Sequence, residues 1–345
     1  MSEAVTKKAR LNYLDVLRVI AILPVIVCHY TRSQEYAGVG FVNKILPDSF
    51  FSVYLGDYGV AIFFAVSGAA LMYTYAGRLD VKKYIYKRFI GILPMYWMAW
   101  YIAYVYMSCK TQQLYKPAPA WKLVLTLFGM DGYANWYGTN WYLLGEWFLG
   151  CLILLYILFP LLKLGIEKKP VLTAIIILAV YVAGSIFYHG TIPTANFFLF
   201  RVPEFAFGMY FVHYGWKIKW PLGLAGIAIL AVMWFADLSM IPVLYRNTVL
   251  GIVTFCVVAC FCSYVKWNGF YKVCRIIGKY GYAVFLTHHF IVQEMMYLFT
   301  GKVFTIWQNY AVFALFLVVT AVASVALYWL NDITLRKIRE FRQQV

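Results

Sequence analysis

Apolar positions in this chain come in long, nearly unbroken runs separated by short polar segments. Ten such runs can be drawn, at about 11–31, 58–76, 89–108, 141–162, 171–188, 197–214, 221–236, 247–265, 280–300 and 306–330. Roughly 20 apolar residues carry a helix across the hydrocarbon of a bilayer, and in hydrocarbon a single segment satisfies its own backbone only as a helix. The pattern therefore predicts an all-α fold: a polytopic integral membrane bundle of about ten transmembrane helices, one domain over residues 1–345. The seventh run is short enough to tilt or to lie partly in the interface.

The polar positions inside those runs carry most of the information. The first run holds Asp15, Arg18 and His29. Arg18 and His29 are eleven residues apart, three helical turns plus roughly 20°, so they share a face about 16 Å apart along the axis. Ionisable groups at this depth are costly to insert and face a bundle interior or a wet cavity, which makes them functional candidates. Run two carries Ser67-Gly68. Run four opens on Asn140, Trp141 and Tyr142 and is expected to place Glu146 about one and a half turns into its helix. Run six carries Arg201 and Glu204, three apart as Asp15 and Arg18 are, a spacing at which opposite charges pair on one helix face. Run nine carries His288 and His289 near its middle. Each pair has a plain reading as a structural ion pair, and Ser67-Gly68 has one as a close helix contact. The set has a further meaning: His29 and Glu146 fall toward one end of their helices, and Arg18 and Arg88 toward the other.

Composition agrees with a membrane protein. The chain is 63% hydrophobic and 13% charged, with a mean hydropathy of +0.72, which excludes a soluble globular domain and a disordered chain. A net charge of +16 would suit a nucleic-acid partner if it were clustered, but it is not. With the N-terminus in the cytoplasm, inner segments hold 21 of the 30 basic residues and outer segments seven. That positive-inside split places both termini in the cytoplasm of a multi-pass protein of the cell membrane. The basic excess then reflects topology and anionic lipid, and no nucleic-acid partner is expected. The basic N-terminus lacks the cleavage site of a signal peptide. The seven cysteines show no metal-ligand spacing, so neither a metal site nor a disulfide framework is expected. The longest segments between runs, 31–57 and 109–140, both fall outside. The second is rich in aromatics (Tyr115, Trp121, Tyr133, Trp136, Tyr137), which reads either as an interfacial belt or as a stacking surface for sugar rings. Inner loops are short, so any chemistry must take place within the bundle.

These stretches resemble, in order, the motifs of the membrane acyltransferase-3 family. The run from Asn12 through Asp15 and Arg18 to His29 is similar to the family's opening helix, with an arginine, ten intervening residues and a histidine. Gly59-Val60-Ala61-Ile62-Phe63-Phe64-Ala65-Val66-Ser67-Gly68 resembles G-V-x-x-F-F-x-x-S-G. Lys87-Arg88 with Leu93-Pro94-Met95-Tyr96-Trp97 resembles the basic segment leading into the third span. Trp141 to Glu146 resembles W-x-L-x-x-E, Arg201 to Gly208 resembles R-x-P-E-F-x-x-G, and Tyr282 to His288 resembles Y-x-x-Y-L-x-H. The likeness runs from about residue 12 to 330. One departure is Gly91, where the family commonly has a second arginine three residues before the proline.

The resemblance implies transfer of an acyl group, often acetyl, from cytoplasmic acyl-CoA to a hydroxyl of a carbohydrate or lipid-linked glycan on the other side, as in O-acetylation of a surface polysaccharide. It implies His29 as the essential histidine and Arg18 as its partner. On this reading His29 is a general base, or the carrier of a covalent acyl group, and Glu146 orients the imidazole or holds the acceptor. Arg18 stabilises the thioester oxyanion or a donor phosphate. Arg88, Lys87 and Lys83, with Ser67, hold the donor, and Lys82 is a further basic group that could compensate for Gly91. Asp15, Arg201, Glu204, His288 and Trp141 are supporting polar groups. Acyl-CoA enters as donor substrate, with no metal. The alternative is a non-enzymatic carrier or flippase of a polysaccharide intermediate using the same cavity. A small-solute transporter would show internal repeats with broken helices, and none is visible.

Overall fold

In an apolar medium the helix is the only way a lone segment can satisfy its own amides, and most of the apolar runs are helical in the computed structural model. It describes residues 9–47, 49–50 and 53–344. Lys7 and Lys8, counted above among the inner basic residues, lie outside the described residues. The helices are α1 (Asn12–Tyr36), α2 (Leu55–Thr74), α3 (Val81–Thr111), α4 (Leu123–Leu127), α5 (Asp131–Ala134), α6 (Trp147–Lys168), α7 (Pro170–Phe187), α8 (Val202–His213), α9 (Trp220–Phe235), α10 (Val243–Tyr264), α11 (Asn268–Tyr297) and α12 (Ile306–Gln344). Two short strand pairs complete the description. β1 (Gly40–Phe41) runs parallel to β4 (Val303–Phe304), and β2 (Ser49–Phe50) antiparallel to β3 (Val53–Tyr54).

Seven of these helices are long and apolar enough to cross a membrane: α1, α2, α3, α6, α7, α10 and α12. The other three expected spans have visible reasons for falling short. The run at 197–214 is split into a tight turn at Phe198–Arg201 and the twelve-residue α8, whose second residue is Pro203; proline is favoured in the first turn of a helix. α9 has sixteen residues, too few to cross without local thinning of the bilayer. α11 is long, at thirty residues, but Lys279, His288, His289, Gln293 and Glu294 break up its apolar run, which lowers its hydropathy. Several boundaries also move: α3 starts at Val81 and α11 at Asn268, earlier than expected, and α12 runs on to Gln344. α1 continues past residue 31 to Tyr36, and α6 begins only at Trp147, so Asn140–Glu146 is irregular rather than the first turns of a helix.

The β1–β4 pair joins the end of α1 to the start of α12. At the opposite end Tyr280 of α11 meets Tyr328 of α12, with ring centres 5.1 Å apart. α12 therefore runs back to the end of the bundle where α1 begins. Centrally, α2 packs most extensively on α8, and α1 on both α2 and α11. The α2–α8 crossing is a backbone contact. A Cβ at Gly68 would lie 1.9 Å from the Phe205 carbonyl oxygen, and one at Gly208 would lie 1.9 Å from that of Ala65. Gly68 therefore fills the close-packing role that small residues play between membrane helices. Gly68→Ala is expected to force the two helices apart, with a loss of about 3 kcal/mol or more for overpacking a rigid contact. A thermal midpoint and monodisperse yield in detergent equal to those of the native chain would refute this.

Candidate active site

α1 supplies both hallmark residues, and the structure places them in two different cavities. Arg18, with Ser67 of α2 and Arg88 of α3, lines a cavity of about 310 Å³ at the end where the described chain begins. His29, with His289 of α11, lines a second cavity of about 490 Å³ toward the other end. Both volumes suit small-molecule sites. Phe63, Phe148 and Phe285 lie at the inner margin of the arginine cavity. Phe148 touches both of its neighbours, with ring centres 5.9 Å from Phe63 and 5.2 Å from Phe285. Phe285 is in turn 6.3 Å from the His288 ring. An aromatic partition thus stands between the arginines and the histidines.

At the arginine end, Asp15 is buried and receives both Arg10 and Arg18. Arg10 Nε donates at 2.6 Å, and Arg18 Nη1 at 2.8 Å. Asp15 thereby holds one guanidinium nitrogen of Arg18, a residue that lines the cavity. Arg88 rests 5.5 Å from the centre of the Tyr75 ring, and its Nε has no hydrogen-bond partner among the described residues. Gly91 lines the same cavity, and a Cβ there would meet nothing within 4 Å. The place of the missing second arginine is open space. Lys83 and Lys87 are exposed on α3 and do not line the cavity.

At the histidine end, three imidazoles converge. The His29 ring lies 5.2 Å from His288 and 4.7 Å from His289, the latter perpendicular to it. His288 is buried, and its Nδ1 lies 2.9 Å from the carbonyl oxygens of both Val284 and Phe285. The wall opposite is built for polar ligands with apolar faces: Asp57, Asn135, Trp136, Tyr142, Trp147 and Asn196. Asn247 donates to Asp57 Oδ2 at 3.4 Å. Of the aromatic loop, Trp136 lines this cavity while remaining partly exposed, and Trp121 and Tyr137 are exposed away from it.

Other expected site residues sit elsewhere. Glu146 lines neither cavity. It is fully buried at the start of α6, where Oε2 accepts from the Leu144 amide at 2.8 Å and Oε1 lies 3.4 Å from the Tyr96 hydroxyl. Tyr96 also donates to Asp131 at 3.1 Å. The turn that Glu146 closes contains Gly145, which has φ +76° and packs so tightly on His289 that a Cβ would come within 2.5 Å of that ring. Glu146 thus reaches the histidines only through its backbone turn. Trp141 is buried, its indole donating to Pro119 O at 3.1 Å and its carbonyl accepting from Trp100 at 2.9 Å. Arg201 and Glu204 pair at 3.1 Å with no exposure. Arg201 also donates to Ala195 O at 2.7 Å, and Glu204 accepts from Thr248 at 2.9 Å.

Sequence reasoning noted His289 without giving it a role, and passed over Asp57 and Asn196. His289 follows His288 directly, and only the first of the two falls on the motif. The carboxylate and the amide belong to no motif.

A match to the acyltransferase domain family extends over residues 11–329, and the chain belongs to the membrane acyltransferase-3 family, a class of membrane acyltransferases. No curated protein and no solved structure matches it.

Proposed function

We propose that the protein is an O-acetyltransferase that takes an acetyl group from cytoplasmic acetyl-CoA and places it on a hydroxyl of a carbohydrate or lipid-linked glycan outside. The observation that carries this reading is the pair of cavities along α1, cationic at one end and histidine-lined at the other, with the phenylalanines of α2, α6 and α11 between them. The donor phosphates would rest on Arg18 and Arg88, whose guanidinium forks suit phosphate oxygens. Ser67 would meet the donor beyond them. The pantetheine arm would pass between Phe63, Phe148 and Phe285 and bring the thioester to His29. The acceptor sugar would lie against Trp136 and Tyr142, with Asp57 and Asn196 holding its hydroxyls.

His29 would then take the proton of the attacking hydroxyl as the oxygen forms its bond to the thioester carbonyl carbon. The tetrahedral intermediate collapses with cleavage of the carbon–sulfur bond, and the departing thiolate regains the proton from the imidazolium. The products are an ester and free CoA. Arg18, about 16 Å along the axis from His29, is better placed for a phosphate than for the oxyanion.

The test uses the full chain in proteoliposomes, with radiolabelled acetyl-CoA and an envelope glycan extract as acceptor. Label should pass into alkali-labile ester as CoA is released. Loss of one charge-assisted contact is worth roughly 1.5–3 kcal/mol, so Arg88→Ala should raise KM for acetyl-CoA about tenfold or more with kcat little changed. Glycan movement that continues without acetyl-CoA, with no ester formed, would favour the carrier. An Arg88→Ala enzyme with unchanged KM would remove Arg88 from donor binding.

A further inference from the structure

His288 carries a buried lone pair that nothing described in the fold uses. Its Nδ1 lies 2.9 Å from two carbonyl oxygens, Val284 O and Phe285 O. Carbonyl oxygens only accept, so the hydrogen resides on Nδ1. A neutral ring in that tautomer presents Nε2 as a bare acceptor, and Nε2 is buried without a partner among the described residues. A histidine kept only for packing would be expected to satisfy both nitrogens or to turn one toward water, because a buried unmade hydrogen bond costs roughly 1–3 kcal/mol. The neighbouring Thr287 meets that expectation, paired with Ser324 at 2.9 Å. The groups around the His288 ring are Phe285, which offers no donor, and the two other histidines.

His29 is the nearer of those two. Its ring centre lies 5.2 Å from that of His288, against 6.4 Å for His289. No hydrogen bond joins His288 Nε2 to His29 in this structure. Adding two ring radii to a hydrogen-bond length, however, puts hydrogen-bonded imidazoles at about 5 Å between centres, so a small side-chain rotation closes the pair. The His289 ring, 4.7 Å from that of His29, is the other neighbour. His29 also faces the cavity where His289 lies. It thus stands between an interior ring that can only accept and a cavity where a hydroxyl can give up its proton.

We propose that His288 is the positioning residue of the site: its Nε2 accepts the ring hydrogen of His29 and so fixes which nitrogen of His29 meets the acceptor hydroxyl. This rests on His29 as the base. It gives His288 the task that a carboxylate performs for the histidine of a serine-hydrolase triad, holding the tautomer and stabilising the imidazolium once it forms. Here the acceptor is neutral, so no buried negative charge has to be maintained inside the bundle. Two backbone carbonyls, rather than a second charged side chain, hold the His288 ring.

The chain has only five histidines, so the imidazole nitrogens of the full-length protein can be read by 15N NMR in nanodiscs and assigned by single substitution. His288 should show the hydrogen on Nδ1, and His29 a single tautomer. His288→Phe keeps the shape and removes the acceptor, and should turn the His29 signal into a mixture. His288→Gln, whose amide reaches the Nε2 position, should preserve it. In acetyl-CoA turnover, His288→Phe should lower kcat by about 100-fold, the scale of a misoriented catalytic group, with KM for acetyl-CoA unchanged. His288→Gln should recover most of that loss. A His288 hydrogen found on Nε2, or a His29 signal identical in native and His288→Phe protein, would overturn the proposal even if neither variant were active. Turnover lost in His29→Ala but intact in His288→Phe would overturn the positioning role and leave the function standing. Turnover intact in His29→Ala would remove the function and the proposal together.

Discussion

His29→Ala is expected to abolish acyl transfer, with turnover of acetyl-CoA falling by about 10³-fold or more while the protein stays folded. General-base catalysis contributes roughly 10²–10⁴-fold, and the alanine also loses the group that would orient the attacking hydroxyl. The fold should tolerate the change because His29 borders a cavity rather than filling the core. Among the described residues no hydrogen bond ties its ring into the packing around Tyr30, which does bind the Asn309 carbonyl at 2.9 Å. The check is release of CoA from labelled acetyl-CoA in proteoliposomes, beside the elution profile of each protein in detergent. Turnover above about a tenth of native would exclude His29 as base and as covalent carrier, because either role asks for a larger loss. A labelled histidine recovered from quenched native protein, and absent from the variant, would separate the covalent route from the direct one.

The largest effect on stability is expected at Arg201. The guanidinium and the Glu204 carboxylate are both sealed from solvent, and Thr248, itself hydrogen-bonded to Tyr181 at 2.8 Å, ties the carboxylate to α10. Arg201→Met leaves Glu204 buried with only the Thr248 hydroxyl opposite it, and breaking a buried pair in this way costs about 3–5 kcal/mol. The expected result is a low-yield protein whose thermal midpoint in detergent falls far below the native one. Replacing both partners, Arg201→Met with Glu204→Leu, should recover much of the loss, because no uncompensated charge remains. A single variant as stable as the native chain would show that the pair does not hold the start of α8. A double variant no better than the single would show that the arginine matters for something other than neutralising Glu204. Both variants differ from His29→Ala in kind: they are expected to lose protein, not turnover per molecule.

How much of this was legible in the sequence depends on what kind of signal each residue leaves. The apolar runs gave the membrane helices directly, and charge inside the first run pointed to Arg18 and His29 because hydrocarbon tolerates neither without a purpose. That the two would be parted by an aromatic partition could not be read, since Phe63, Phe148 and Phe285 come from three different helices and are individually unremarkable apolar residues. The segment Asn140–Glu146 misled for a physical reason. Trp141, Tyr142, Leu143 and Leu144 read as the start of an apolar helix, yet the backbone there is irregular. It survives at this depth because side chains take over the missing helical bonds. Asn140 accepts from the Tyr142 amide at 3.0 Å, Glu146 from the Leu144 amide at 2.8 Å, and Trp100 donates to the Trp141 carbonyl at 2.9 Å. Non-helical backbone inside a membrane protein is tolerated where protein surrounds it. Glu146 is therefore a carboxylate whose visible task is to close a turn, and Gly145 in that turn seats His289.

The partition between the two cavities also has an electrical meaning. On the proposed arrangement, with one cavity open to water on each side of the membrane, the insulating path is short, and the membrane potential would fall mainly across the few residues around Phe63, Phe148 and Phe285. A charge carried across that stretch would do work of about 2.3 kcal/mol per 100 mV. On the proposed reaction the nucleotide phosphates stop at Arg18 and Arg88, and only a neutral thioester and acetyl group pass the phenylalanines. Acylation of the outer face would then proceed at the same rate in an energised and a de-energised cell, without drawing on the ion gradient and without opening a leak.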